Sequence, residues 1–259
     1  MSDQTARPLY VGTNLKLHQT PEETEVFVEG VNERTAKPAT ANNIQRFIIP
    51  PYTSLPAAVR QANGSGIWIG AQNVHWAPDG AFTGEISVRM LQAVGVDLVL
   101  IGHAERRGLF HETDEEINAK VLAAAGAGFR VLFCIGETAT EKRYGVGHES
   151  VVRQLKIGLS GLPAAQLPQI MIGYEPVWSI GPGGTPARPD DVAEIATEIR
   201  AALHLSFGAP GVNVPILYGG SVSPANCAEF TSLPVIDGVF VGRAAWTVDG
   251  FADILNAVI

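Results

Sequence analysis

The stretch Ile170-Met171-Ile172-Gly173-Tyr174-Glu175-Pro176-Val177-Trp178-Ser179-Ile180-Gly181-Pro182-Gly183-Gly184 reads as three things in succession. Ile170 to Gly173 is an unbroken apolar run, the pattern of a strand buried on both faces. Glu175 follows at its end. Pro176 to Gly184 is a loop, with proline and tryptophan on one side and glycines on the other. A carboxylate at the end of a buried strand, followed by a loop able to swing, is the layout of a catalytic base beneath a lid. Taken alone, the same stretch also fits an ordinary surface acid, one of 26 acidic residues.

Seven similar runs surround it in the chain. They are Leu9 to Gly12, Phe47 to Pro50, Ile67 to Gly70, Leu98 to Gly102, Val131 to Gly136, Val214 to Gly219 and Gly238 to Gly242. Many end in glycine, which suits a tight turn out of a strand. Helix signals lie between them. Thr20-Pro21-Glu22-Glu23 sets a cap residue before proline and two acids, and Thr113-Asp114-Glu115-Glu116 leads into Ile117, Val121 and Leu122 on one face. Pro189-Asp190-Asp191 precedes the stripe Val192, Ile195, Ile199 and Leu203; Ser223-Pro224 and the segment from Asp249 to Ile259 supply the last two helices. Eight buried strands alternating with helices predict an α/β chain closed into a (β/α)8 barrel, with an open doubly wound sheet as the other arrangement. No low-complexity linker divides residues 1–259, so a single domain is expected.

Composition narrows the function classes. With 46% hydrophobic residues, 259 residues can bury a large core without disulfides or metal. No apolar run has the length of a membrane span, and Met1 to Pro8 is polar, without the apolar centre of a signal peptide. Cys134 and Cys227 stand apart without metal-ligand spacing, which suits a reduced, cytoplasmic protein. A net charge of −8 argues against nucleic-acid binding. An anionic small molecule can still be bound, by local donors acting at short range.

In a barrel the chemistry gathers at the C-terminal ends of the strands. The polar residues there are Asn14 and Lys16, then Gln72, Asn73 and His75, then His103 and Glu105, then Glu137, Glu175, Gly219-Gly220-Ser221 and Gly242-Arg243. Each has a plainer reading: a solvated lysine, a structural histidine, Glu105 paired with Arg106, a glycine-serine loop. Together they suit one reaction. A carboxylate removes a proton from carbon beside a carbonyl. A neutral histidine at a helix start polarises that carbonyl, and a lysine balances the developing charge. A phosphorylated enediolate formed this way can expel phosphate if water enters, which makes a lid chemically necessary. The histidines form no close ligand cluster, so metal-dependent hydrolysis fits less well.

Five ordered motifs carry a resemblance to the triosephosphate isomerase family. They are Asn14-x-Lys16, Gly102-His103-Ala104-Glu105-Arg106-Arg107, Cys134-Ile135-Gly136-Glu137, Tyr174-Glu175-Pro176-Val177-Trp178-Ser179-Ile180-Gly181 and Tyr218-Gly219-Gly220-Ser221-Val222. Ala71-Gln72-Asn73 and Gly80 to Glu85 resemble the family's subunit-docking loop. The resemblance implies a TIM barrel working without cofactor or metal on a small phosphorylated sugar. It implies Glu175 as base, His103 as electrophile and Lys16 as the third catalytic group. Asn14, Gly181, Ser221 and Gly242 become substrate-binding positions, with Arg243 added at the phosphate end. Glu105, Cys134, Trp178 and Tyr218 become supporting residues. Thr83 is expected to reach a second subunit, which makes a homodimer.

Four departures from the family pattern stand out. Leu15 replaces a usual tryptophan, Ala104 a serine, Pro182-Gly183-Gly184 the usual Thr-Gly-Lys, and Arg243 a glycine. With Ala71 to Ala77 and Gly242-Arg243-Ala244-Ala245-Trp246, they resemble the family's bacterial L-erythrulose-1-phosphate isomerase branch. The function expected is interconversion of L-erythrulose 1-phosphate and D-erythrulose 4-phosphate. The other readings are a triosephosphate isomerase with a variant lid and a barrel that only binds a phosphorylated ligand.

Overall fold

The computed structural model describes residues 7–181 and 183–259; Met1 to Ala6 and Pro182 lie outside the described residues. Eight parallel strands form a closed barrel in chain order: β1 (Leu9–Asn14), β2 (Ile44–Ile49), β3 (Trp68–Ala71), β4 (Leu98–Ile101), β5 (Arg130–Ile135), β6 (Ile170–Tyr174), β7 (Ile216–Tyr218) and β8 (Gly238–Val241). Closure is made by β1 pairing with β8, Val11 opposite Val239 and Thr13 opposite Val241. The open doubly wound sheet is thereby excluded.

Helices cover the outside: α1 (Pro21–Ala41), α2 (Leu55–Ala62), α3 (Val88–Val94), α4 (Ala104–Leu109), α5 (Asp114–Gly126), α6 (Ala139–Arg143), α7 (Gly147–Gly158), α8 (Pro189–Phe207), α9 (Cys227–Thr231) and α10 (Val248–Ala257). Thr20 and Thr113 each cap their helix in a reciprocal box with Glu23 and Glu116. The start at Ser223-Pro224 is corrected: α9 begins only at Cys227. Asn226 turns its side chain back, Oδ1 accepting from Ser223 N–H at 2.8 Å and Nδ2 donating to Ser221 O at 3.0 Å, so residues 223–226 form a turn first.

Each unbroken apolar run divides its side chains between two cores, because alternate residues of a strand face opposite ways. Phe133 and Ile135 of β5, and Ile170 and Ile172 of β6, pack outward against helices. Phe47, Ile49, Leu98, Leu100, Leu132, Cys134, Met171, Leu217 and Phe240 fill the barrel. Counting on from Met171, residues 173 and 175 also face inward, which aims Glu175 into the mouth.

The run-ending glycines are explained differently from the sequence expectation. Of Gly12, Gly70, Gly102, Gly136, Gly173, Gly219 and Gly242, only Gly102 has a positive φ, of 76°. Several of the others make room inside the barrel. A Cβ on Gly12 would lie 2.2 Å from the Phe47 ring, one on Gly70 2.8 Å from Leu98 Cγ, and one on Gly173 3.0 Å from Cys134 Sγ. Large side chains on one strand occupy space that its neighbour leaves empty.

Gly12→Ala should therefore destabilise by about 1–3 kcal/mol, the usual cost of overpacking. Phe47→Leu in the same chain should recover part of that loss. Chemical denaturation of the two variants checks both, and a Gly12→Ala midpoint equal to the parent's would contradict the crowding.

Candidate active site

The strand ends converge on a pocket of about 320 Å³ at the barrel mouth. Lys16, Asn14, His103, Glu175, Gly181, Ser221, Gly242 and Arg243 all line it. Among these lining residues are two full positive charges, Lys16 and Arg243, and one carboxylate, Glu175. A locally cationic pocket thus sits in a chain of net charge −8.

Glu175 follows β6 directly, and its N–H still donates to Ile135 O of β5 at 2.8 Å. The residue is only 2% exposed. Its Oε2 accepts the Ala104 N–H at 3.1 Å, and its Oε1 lies 3.2 Å from His103 Nε2. Ala104 lacks the serine hydroxyl of the family pattern, yet its main-chain N–H holds the carboxylate. Cys134 lies beneath. Burial pushes its thiol well above the ordinary range, and the charge and hydrogen bonding of Glu175 push it further, so it remains a neutral S–H.

His103 is the N-cap of α4, and its Nδ1 accepts the Glu105 N–H at 3.2 Å. Glu105 Oε2 is 3.6 Å from the same nitrogen, too far for a hydrogen bond. An accepting Nδ1 leaves the proton on Nε2, the atom that faces Glu175. A neutral ring N–H therefore lies 3.2 Å from the buried carboxylate on the pocket floor.

Lys16 has φ of 51°. Its N–H donates to Asn14 Oδ1 at 2.9 Å, and its carbonyl accepts from Gln72 Nε2 at 2.7 Å. Its Nζ is 2.7 Å from Glu105 Oε1. The pairing of Glu105 with Arg106 is corrected. Arg106 instead joins Glu112, which also binds the buried Lys120. Consecutive helical residues point about 100° apart, so Glu105 and Arg106 serve different partners.

Trp178, in the 3₁₀ turn Val177–Ser179, donates Nε1–H to Glu137 Oε1 at 2.6 Å. Lys142 Nζ lies 3.7 Å from the ring centroid on its face. Glu137 also takes Tyr174 Oη at 3.2 Å, and its carbonyl accepts Val177 N–H. This root of the 176–184 loop is thus pinned, while Gly181 is exposed at a positive φ of 81°. Pro182, the loop's departure from the family pattern, lies outside the described residues. Tyr218 Oη and Ser179 Oγ both lie against Gly220, where a Cβ would approach them to 2.1 and 2.6 Å. Burial pushes the Tyr218 hydroxyl up to about 12. It forms no well-made hydrogen bond among the described residues.

Thr83 does not line the pocket; residues 78–85 are an exposed loop. The glycine-rich end of the pocket is lined by the Gly219-Gly220-Ser221-Val222 loop and by Gly242, Arg243 and Ala244, the last two in a 3₁₀ turn Arg243–Ala245. Phe240, not among the site candidates read from the sequence, also lines the pocket, as does Trp246, read there only as part of the Gly242-to-Trp246 motif. Phe240 sits two residues before Gly242, so strand alternation alone was a signal for it. Among the described residues, no three His, Cys, Asp or Glu side chains group as metal ligands.

A closed eight-stranded barrel with a carboxylate, a neutral imidazole and a lysine at its mouth defines a class: enzymes that move a proton between neighbouring carbons of a phosphorylated sugar. The triosephosphate isomerase family model matches residues 9–258, and the chain belongs to that family. It is 43% identical over 253 residues to an L-erythrulose-1-phosphate isomerase of Rhizobium rhizogenes, covering 97% of this chain and 95% of that protein. It is 42% identical over 250 residues to a triosephosphate isomerase of Acetivibrio thermocellus, covering 96% and 98%. The crystal structure of triosephosphate isomerase from Bartonella henselae superposes with a TM-score of 0.86 at 33% identity, covering 96% of this chain and 98% of that one.

Glu137 yields a pH prediction. Burial raises its carboxyl above the ordinary range, against the lowering effect of Trp178 and Tyr174. The native state then holds the proton more tightly than the unfolded chain. Its contribution to stability is fully present below the unfolded value and is lost as pH rises through the folded one. Relative to Glu137→Gln, the parent should lose stability as pH rises through that window. Denaturant midpoints measured from pH 4 to 8 check it; parallel curves would refute it.

Proposed function

We propose that this protein interconverts L-erythrulose 1-phosphate and D-erythrulose 4-phosphate through a cis-enediolate. The observation that carries the chemistry is the 3.2 Å approach of Glu175 Oε1 to His103 Nε2 on the pocket floor. The two groups engage each other until a substrate carbonyl separates them. Glu175 then takes the proton from C3, the C–H electron pair moves into the C2–C3 bond, and the C2 carbonyl electrons pass to its oxygen. His103 Nε2–H donates to that oxygen and takes up the hydroxyl proton of C3. The carboxylic acid returns its proton to C2, leaving a ketone at C3. Numbered from the other end, the product is the 4-phosphate.

Lys16 offsets the charge that develops on the oxygens and on the phosphate. The phosphate occupies the glycine-rich end, against the N–H groups around Gly181, Ser221 and Gly242. Arg243 is exposed at the pocket and makes no ion pair among the described residues, so its charge is free to meet a dianion. The 176–184 loop closes over the site and excludes water. Support for the tetrulose comes from the relatives of that name, 43% identical in Rhizobium rhizogenes and 41% in Brucella abortus. The triosephosphate isomerase at 42% keeps the triose as the second reading.

The working form in this proposal is a cytoplasmic homodimer. The exposed 78–85 loop carrying Thr83 and Phe82 docks on a second copy, and buried free Cys134 and Cys227 suit a reducing compartment.

Steady-state kinetics with both sugars test the substrate. The expected kcat/KM is higher for L-erythrulose 1-phosphate; a tenfold or greater preference for dihydroxyacetone phosphate would assign the triose. Absence of C–H exchange with solvent for either sugar would leave only a binding barrel. Glu175→Gln should reduce kcat by ~10³-fold or more while substrate-analogue affinity stays within an order of magnitude. An unchanged kcat would remove Glu175 from the mechanism.

A further inference from the structure

The short segment from Asn14 to Gln19 contains two non-glycine residues in the left-handed region, Lys16 at φ 51° and Gln19 at φ 71°. Such residues keep this conformation only where their surroundings over-determine it. Part of that determination is local, through the Asn14 side chain, and part comes from Gln72. Further support comes from Ile49 O, which accepts the Leu15 N–H at 3.0 Å, from Ser54 Oγ, which donates to Gln19 O at 3.4 Å, and from the far side of the barrel closure, where one residue following β8 reaches the segment.

Trp246 touches this segment at three points. Its Nε1–H donates to Asn14 O at 2.8 Å. Its ring packs on His18, with centroids 4.2 Å apart. Its carbonyl accepts from Gln19 Nε2 at 3.2 Å. The contacts bracket Lys16, two residues to either side and then one beyond. Leu17, between Lys16 and His18, is 95% exposed and anchors nothing within the chain. The same Trp246 lines the pocket, four residues after Gly242.

The geometry points to Trp246 as a positioning residue for Lys16. It acts by holding the Asn14–Gln19 segment so that the ammonium group stays at the mouth, paired with Glu105, rather than relaxing into solvent. The lysine and the phosphate end of the pocket are thereby tied together through one indole. This inference rests on the catalytic role proposed for Lys16. It goes beyond that role by assigning a function to a residue whose side chain never needs to touch the reacting atoms.

A double-mutant cycle separates this from a packing role or a direct contact with substrate. Trp246→Phe keeps an aromatic ring on His18 and removes the N–H. In the parent background it should lower kcat/KM by 10–100-fold, the range that a misplacement of about 1 Å produces. Far-UV circular dichroism should stay unchanged. In the Lys16→Ala background, measured at high enzyme concentration, the same substitution should change kcat/KM by less than about twofold. His18→Ala, at an exposed position that tolerates truncation, should give a smaller loss that likewise vanishes without Lys16. Losses that multiply in the double variants would overturn the inference, since Trp246 would then act without the lysine. A severe Lys16→Ala with neutral Trp246→Phe and His18→Ala would overturn it alone. A neutral Lys16→Ala would overturn both this inference and the lysine's proposed role.

Discussion

The limited space inside a closed eight-stranded barrel governs the rest of this molecule. Closing β1 onto β8 forces side chains from eight directions into one cylinder. Phe47 and Phe240 stack there with ring centroids 5.9 Å apart, and they fit because neighbouring positions carry no side chain. Gly12 yields to Phe47, and Gly219 yields to both Phe240 and the Glu175 side chain, whose Cγ would lie 2.9 Å from an added Cβ. The same crowding that packs the core therefore fixes the floor of the site. Glu175 is held by what stands beneath and beside it as much as by its hydrogen bonds.

Most of this was legible in the sequence because it depends on local pattern. Eight apolar runs, each of strand length and separated by helix signals, specify strands buried on both faces, and Thr20 and Thr113 cap as their neighbours demand. The polar residues at the strand ends could be gathered onto one mouth from chain order alone. What was not legible depends on approach between distant elements. Ser223-Pro224 reads as a helix start, but a single asparagine three residues on captures the turn. Glu105 and Arg106 are adjacent in sequence, and only their helical placement sends one to Lys16 and the other to Glu112. The glycines looked like turn residues; their cause lies across the strand, in Phe47, Leu98 and Cys134, which no local pattern couples to them.

The electrostatics follow the same division between bulk and local structure. A chain of net charge −8 repels anions at long range, yet the charged groups lining its pocket sum to a positive value through Lys16 and Arg243. Most cations elsewhere are already committed. Arg107 is paired with Asp114, Arg200 with Asp237, and Lys120 with Glu112. Among the described residues Arg243 has no such partner, and Lys16 shares its charge with a half-exposed Glu105. Because surface pairs of that exposure are weak, a dianion can compete for the lysine without a large penalty. In the proposed function, selectivity for anions then resides in two side chains and a set of N–H groups, whatever the net charge of the chain.

The two ends of the chain are joined at the site by this logic. β1 and β8 are the first and last strands, and their pairing closes the barrel. Lys16 leaves the end of one; Arg243 and Trp246 leave the end of the other. A loop after β1 cannot be held in a left-handed conformation by its own residues alone, because each strained dihedral relaxes when the chain is free to move. It can be held by a neighbour that is itself fixed, and Trp246 is fixed by the turn Arg243–Ala245 and by α10 immediately after it. Barrel closure thus accomplishes more than burying a sheet edge. It brings Trp246, just ahead of the last helix, against the loop after the first strand that holds Lys16 and Gln19 in the left-handed region, and the positioning proposed for Lys16 depends on that contact.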